Sequence, residues 1–124
     1  MFITLEGIEG AGKTTQIAAI VDFFQARGQT CLTTREPGGT PIGVRVREIL
    51  LDPIHADLDR RAELMLYMAD RVQHLRRVII PGLSAGKVVL CDRFFDATLV
   101  YQGYASGIDL ETIRSLHRLI CDDI

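Results

Sequence analysis

A net charge is the first thing this sequence lacks. Fourteen lysines and arginines stand against sixteen aspartates and glutamates, a formal charge of −2. Nothing in that balance suggests a general affinity for nucleic acid or anionic membranes, both of which select a basic surface. No run of 18 apolar residues occurs, so no membrane-spanning helix is expected. The first residues pass straight into strand-like sequence; no signal peptide is expected, and the cytoplasm is the expected location. Cysteine is scarce and odd in number, and Cys31, Cys91 and Cys121 do not have metal-ligand spacing. Cys31 and Cys91 fall in strand-like runs and are expected as buried free thiols. Tryptophan is absent, and there are no repeats or low-complexity segments.

What is present is an ordinary globular composition, 48% hydrophobic and 24% charged. The length suits a single domain over residues 1–124. Against that background one stretch stands out: Gly7-Ile8-Glu9-Gly10-Ala11-Gly12-Lys13-Thr14-Thr15. It fits the phosphate-cradling pattern G-x-x-x-x-G-K-[ST]. Phe2-Ile3-Thr4-Leu5 before it reads as a buried strand, and Thr14 to Arg27 after it carries Ile17, Ile20, Val21 and Phe24 at helical spacing. Gly7, Gly10 and Gly12 allow positive φ and a close backbone approach. The N–H groups of the turn and of the helix start then converge on one point, which suits a polyanion. Lys13 adds charge for the outer phosphates, and the Thr14 hydroxyl is placed to reach Mg²⁺. The competing reading is a glycine-rich turn that binds nothing. The flanking strand and helix argue against it.

Further along, Gly28 is placed to stop the first helix, and Thr30 to Thr34 reads as a second strand. Pro41 opens a helix to Leu51 with Ile42, Val46, Ile49 and Leu50 on its apolar face. After a polar connection from Asp52 to Asp59, a long helix is expected from about Arg60 to Ile80, ended by Pro81-Gly82. Its core stripe is Leu64, Met68, Val72, Leu75 and Ile79, with Tyr67, Arg71 and His74 together on a neighbouring face. Val88 to Cys91 is a continuous apolar run, typical of a parallel strand buried on both sides. A helix is expected from Phe94 to Gln102, broken by Gly103 to Gly107, and Asp109 is expected to cap a last helix through Ile120. Alternating strands and helices predict an α/β fold, a P-loop-type doubly wound parallel sheet with helices on both faces and its site at the carboxyl ends of the strands.

Three strand ends then supply polar groups to one edge: the P-loop, Arg35-Glu36 and Asp92-Arg93. An acid closing an apolar strand, as Asp92 does, suits a Mg²⁺ site, although a helix cap or salt bridge is the plainer alternative. Arg35 and Arg93 are candidates to clamp a second phosphate by bidentate hydrogen bonds, the plainer alternative being solvated surface residues. Tyr67 and Arg71 could stack on a base and bond its edge, or simply form a helix surface against a loop. His55, His74 and His117 show no base-and-nucleophile pattern and are assigned no role. Phosphoryl transfer requires mainly positioning and charge neutralisation, which this set of groups provides.

The P-loop, then Arg35-Glu36-Pro37-Gly38-Gly39-Thr40, then Asp92-Arg93-Phe94, then Tyr101-Gln102-Gly103 together resemble bacterial thymidylate kinase, a P-loop nucleoside monophosphate kinase family. The resemblance covers essentially the whole sequence. It implies transfer of the ATP γ-phosphate to dTMP, giving dTDP for dTTP synthesis, with Mg²⁺, in a cytoplasmic homodimer. By similarity, Lys13 and the loop from Gly7 to Thr15 hold the ATP phosphates. Glu9 lies near the 3′-hydroxyl of dTMP, and Arg93 bridges donor and acceptor phosphates with Asp92 on the metal side. Arg35 and Pro37 belong to the acceptor loop, where the resemblance implies a cis bond before Pro37. Tyr67 stacks on thymine, Arg71 reads its edge, and Tyr101 and Gln102 close over the deoxyribose and base.

Two departures from the family pattern are visible. Gly103-Tyr104-Ala105-Ser106-Gly107 stands where the family often has glycines and an arginine. Family members also continue past the equivalent of Ile124 through further strands, an arginine-bearing lid and an adenine-contacting loop. The P-loop interior carries no arginine of its own, so the resemblance implies that the lid supplies one. The chain is therefore expected to be a fragment, or the ordered part, of a longer kinase. The alternatives are a kinase for another nucleoside monophosphate and a nucleotide-binding module without catalysis.

Overall fold

The computed structural model describes residues 1–121. Three parallel strands, β1 (Phe2–Leu5), β2 (Cys31–Arg35) and β3 (Val88–Asp92), form one sheet in the order β1-β3-β2. The central strand is the apolar run: Val88, Val89, Leu90 and Cys91 are all at most 3% exposed. Successive side chains on a strand point to opposite faces, so burial of all four means that both faces are covered. Helix α1 (Lys13–Gln25) packs against β2 and β3. Leu75, Ile79, Val89 and Phe94 cluster on the other layer, joined by the half-buried Phe2, Leu32 and Leu83. Fully burying a side chain such as Leu75 or Ile79 contributes about 1.5–3 kcal/mol.

Helix α2 (Pro41–Leu51) starts where the sequence predicts, with Pro41 in its first turn and the Thr40 hydroxyl accepting the Gly43 N–H at 2.9 Å. Its apolar face is only partly used, since Val46 and Leu50 are half-buried while Ile42 and Ile49 are exposed. Asp59 caps α3 (Arg60–His74), and Asp109 caps α6 (Leu110–Ile120) as expected. Leu64, Met68 and Ile113 form a second core between those two helices.

Several expectations are corrected. The long helix does not end at Pro81-Gly82. It passes through a π-helical turn, Leu75–Ile79, into α4 (Ile80–Ser84). Proline lacks an N–H and crowds the carbonyl one turn earlier, and the wider turn just before it accommodates both effects. Gly82 serves the packing: a Cβ there would sit 2.7 Å from Leu32 Cδ2 and 3.0 Å from Val89 Cγ2. Val72 is exposed rather than core, whereas Asp70, Arg71 and His74 on the same helix are buried. The helix expected from Phe94 to Gln102 is a short α5 (Phe95–Thr98) followed by a π-helical segment, Leu99–Ala105, that runs through Gly103. Gly103 permits close packing there, because a Cβ would lie 2.5 Å from Leu110 Cδ2. Cys91 is fully buried, but Cys31 is only half-buried.

Candidate active site

The order β1-β3-β2 puts the ends of β1 and β3 side by side, with Leu5 opposite Asp92 and Arg35 opposite Asp92 on the other flank. Loops leaving adjacent parallel strands on opposite sides open a crevice, and ligands of such sheets bind there. The loop from Gly7 to Gly12 fills one side. Its three glycines take φ of 149°, 75° and 81°, a backbone that side-chain-bearing residues rarely adopt. Lys13 curls back over the loop and donates to the carbonyls of Gly7 at 3.0 Å and Ile8 at 2.9 Å. Its Nζ is 3.9 Å from Asp92 Oδ1. That oxygen is buried and has no hydrogen-bond partner.

Beside the loop lies a cavity of about 420 Å³. Its wall brings together Glu9, Pro37, Tyr67, Arg71, Arg93, Tyr101 and Gln102, seven of the residues that the sequence nominates for the acceptor. Arg93 is in the left-handed region at φ 68°. Its N–H donates to Leu5 O at 3.0 Å, and the next N–H, of Phe94, donates to Glu6 Oε1 at 2.8 Å. The guanidinium carbon sits 5.6 Å from the centre of the Tyr101 ring, and a hydrogen bond with Tyr101 raises the Arg93 pKa. Burial pushes the Tyr67 hydroxyl pKa up, with the Glu63 charge adding to it. Gln102 is buried and donates to Glu63 Oε1 at 2.6 Å. Arg35 is the nominated acceptor residue that does not line this cavity.

The structure adds residues that the sequence did not nominate. Arg47 lines the cavity and donates to Pro37 O at 3.1 Å. Gly43, Arg47 and Leu51 recur every fourth residue, and that spacing was the available signal for a face of α2 turned toward the site. Glu36 is 4% exposed, and its peptide bond to Pro37 is cis. Glu36 Oε2 accepts from Arg71 Nε at 2.8 Å, and Oε1 accepts from His74 Nδ1 at 2.9 Å. His74 Nε2 pairs with Thr34 Oγ1 at 2.6 Å. Arg71 Nη2 donates to Phe94 O at 2.8 Å and Thr98 Oγ1 at 2.9 Å, while Nη1 has no partner. Asp70 accepts the Gly38 N–H at 3.3 Å, and burial followed by the nearby Glu36 charge raises its pKa. His117 stands apart from the cavity, stacked on Phe95 at 3.7 Å.

The chain is similar to proteins of known family along nearly its whole length. The thymidylate kinase family model matches residues 5–122. A thymidylate kinase of Desulfosudis oleivorans is 59% identical over 119 residues, covering 96% of this chain and 56% of the relative. One from Trichlorobacter lovleyi is 54% identical over 124 residues, covering 100% of this chain and 58% of the relative. The crystal structure of thymidylate kinase from Ehrlichia chaffeensis superposes with a TM-score of 0.90 at 41% identity, over 100% of this chain and 66% of that one. The chain thus spans a little over half the length of the curated relatives it matches. With the family model matched over nearly the whole of its length, this chain belongs to the thymidylate kinase family.

Proposed function

We propose that this chain transfers the γ-phosphoryl group of ATP to dTMP, forming dTDP. The observation that carries the reading is the cavity, which joins the P-loop residue Glu9 and the strand-end residue Arg93 to an aromatic and an arginine on α3. A nucleoside monophosphate laid there has its base between Tyr67 and Arg71, and its phosphate toward Arg93 beside the P-loop. Lys13 and the loop N–H groups hold the donor phosphates, with Lys13 leaving the Gly7 and Ile8 carbonyls for them. Arg93 neutralises charge shared between donor and acceptor, and Tyr101 with Gln102 encloses the sugar and base. Arg35, outside the cavity, serves the acceptor phosphate from its rim. Enclosure aligns the two substrates and excludes water, and these are the main protein contributions to phosphoryl transfer.

Mg²⁺ fits the chemistry of the site. Asp92 Oδ1 is buried at the strand end with no hydrogen bond and only the Lys13 ammonium 3.9 Å away, and Thr14 offers a hydroxyl in the first turn of α1. Those two residues would hold the ion, which when bound supplies charge neutralisation on the phosphates. The protein acts in the cytoplasm, in keeping with the absence among the described residues of any helix long and apolar enough to cross a membrane. It works as a homodimer. Supporting that state, Ile42 and Ile49 on α2 and Met65 and Val72 on α3 are exposed apolar pairs, each seven residues apart and so on one helix face. The test is ADP release with Mg-ATP and dTMP, UMP, dCMP or no acceptor. The expected result is release that rises with dTMP alone. Release indifferent to acceptor overturns the reading in favour of a nucleotide-binding module.

A further inference from the structure

Resting on that reading, in which Arg71 meets the acceptor base, we infer that His74 is a positioning residue that aims Arg71 through Glu36. His74 does not line the cavity and is 0% exposed, so it touches no ligand itself. It is the middle of a hydrogen-bonded chain. Thr34 on β2 pairs with His74 Nε2 at 2.6 Å, His74 Nδ1 donates to Glu36 Oε1 at 2.9 Å, and Glu36 Oε2 accepts from Arg71 Nε at 2.8 Å. A carboxylate held at both oxygens cannot rotate about its last bond without breaking one contact. The imidazole is itself confined, since a Cβ on Gly39 would lie only 2.5 Å from His74 Cδ2. The rigid sheet therefore fixes the ring, the ring fixes the carboxylate, and the carboxylate fixes the guanidinium.

What this accomplishes follows from the guanidinium's remaining hydrogen-bond donors. Nε and Nη2 are occupied by Glu36, Phe94 and Thr98, and Nη1 alone lacks a partner. A guanidinium has only donors. Held in this orientation, it suits a base edge that offers a carbonyl and disfavours one that offers an amino group. His74 thereby contributes to the choice of thymine over cytosine without reaching either.

Two isosteric amides separate this role from general support of the fold. His74→Asn places its amide near Nδ1 and keeps a donor to Glu36; His74→Gln places it near Nε2 and keeps only the Thr34 side. Binding of dTMP, dCMP and ATP to the purified chain is measured by calorimetry. The expected result is that His74→Gln binds dTMP roughly tenfold or more weakly, with a reduced dTMP-to-dCMP preference and unchanged ATP binding, while His74→Asn stays near the unsubstituted protein. Equal dTMP binding by both variants, retention by Gln with loss by Asn, or parallel loss of dTMP and ATP overturns the inference. If either amide variant does not fold, Thr34→Val removes the outer contact instead, and weaker dTMP binding with intact ATP binding is expected; unchanged dTMP binding overturns it. Unsubstituted protein that binds no dTMP overturns the proposed function itself, and this inference with it.

Discussion

Glu36→Gln isolates the charge in the buried network from its hydrogen bonds. The amide oxygen can still accept from Arg71 Nε. The amide N–H can donate to His74 Nδ1 once the ring proton moves to Nε2, where it donates to Thr34. Every hydrogen bond around Glu36 thus has a replacement, and what disappears is the negative charge beside an arginine that is 1% exposed. Stranding one partner of a buried ion pair costs about 3–5 kcal/mol. The lower end applies here, about 3 kcal/mol, because Arg71 keeps the Phe94 carbonyl and the Thr98 hydroxyl. In a domain this size that lowers the melting temperature by roughly 12 °C. Urea unfolding followed by circular dichroism should show a lower midpoint with an unchanged slope. Adding Arg71→Met removes the stranded charge, and stability should return to within about 1 kcal/mol of the unsubstituted protein. A single-variant loss below about 1 kcal/mol would refute the reasoning. In that case the carbonyl and the faces of Phe94 and Phe95, 4.9 and 5.9 Å away, would be holding the charge without Glu36.

Burial raises the Asp70 pKa, so its protonated form favours the fold and that stability is lost as pH rises through the raised value. Asp70→Asn cannot ionise, and urea midpoints should show it gaining on the parent from the ordinary carboxylate range upward and then levelling off. Arg93→Gly relieves a left-handed backbone at φ 68°; it should raise stability by about 1 kcal/mol while acceptor-dependent ADP release falls by roughly a hundredfold or more. Gly103→Ala forces a Cβ to 2.5 Å from Leu110 Cδ2 and 3.3 Å from Ile113 Cδ1, and thermal unfolding should show a loss of about 1–3 kcal/mol.

The positions of the P-loop, of the acid ending β3 and of the arginine after it were legible because each is set by residues adjacent in sequence. Three glycines in nine residues, or a charged pair closing an apolar run, need no knowledge of the rest of the fold. The cis bond before Pro37 came from family resemblance alone, since nothing local distinguishes that proline. The continued helix at Pro81 was not legible. The rule that proline stops a helix assumes ordinary α geometry before it, and the π-helical turn at Leu75–Ile79 removes that assumption.

The partners of Arg71 were hidden for a different reason. Apolar periodicity identifies the inward face of a helix by assuming that inward means apolar, and on α3 that assumption fails. Val72 is exposed, whereas Asp70, Arg71 and His74 are among the most buried residues of the chain. Polar groups can lie there because Thr34 on β2 and Glu36 and Gly38 just after it present hydrogen-bond partners to His74, Arg71 and Asp70. A sequence pattern that places Tyr67, Arg71 and His74 on one face already marks the helix side that departs from core logic. The tertiary structure shows why the departure is sustained: the same contacts that satisfy a buried arginine also fix its direction. On the proposed role of Arg71 at the acceptor base, stability and recognition draw on one network, and a substitution that changes its charge balance or its donor pattern should alter both.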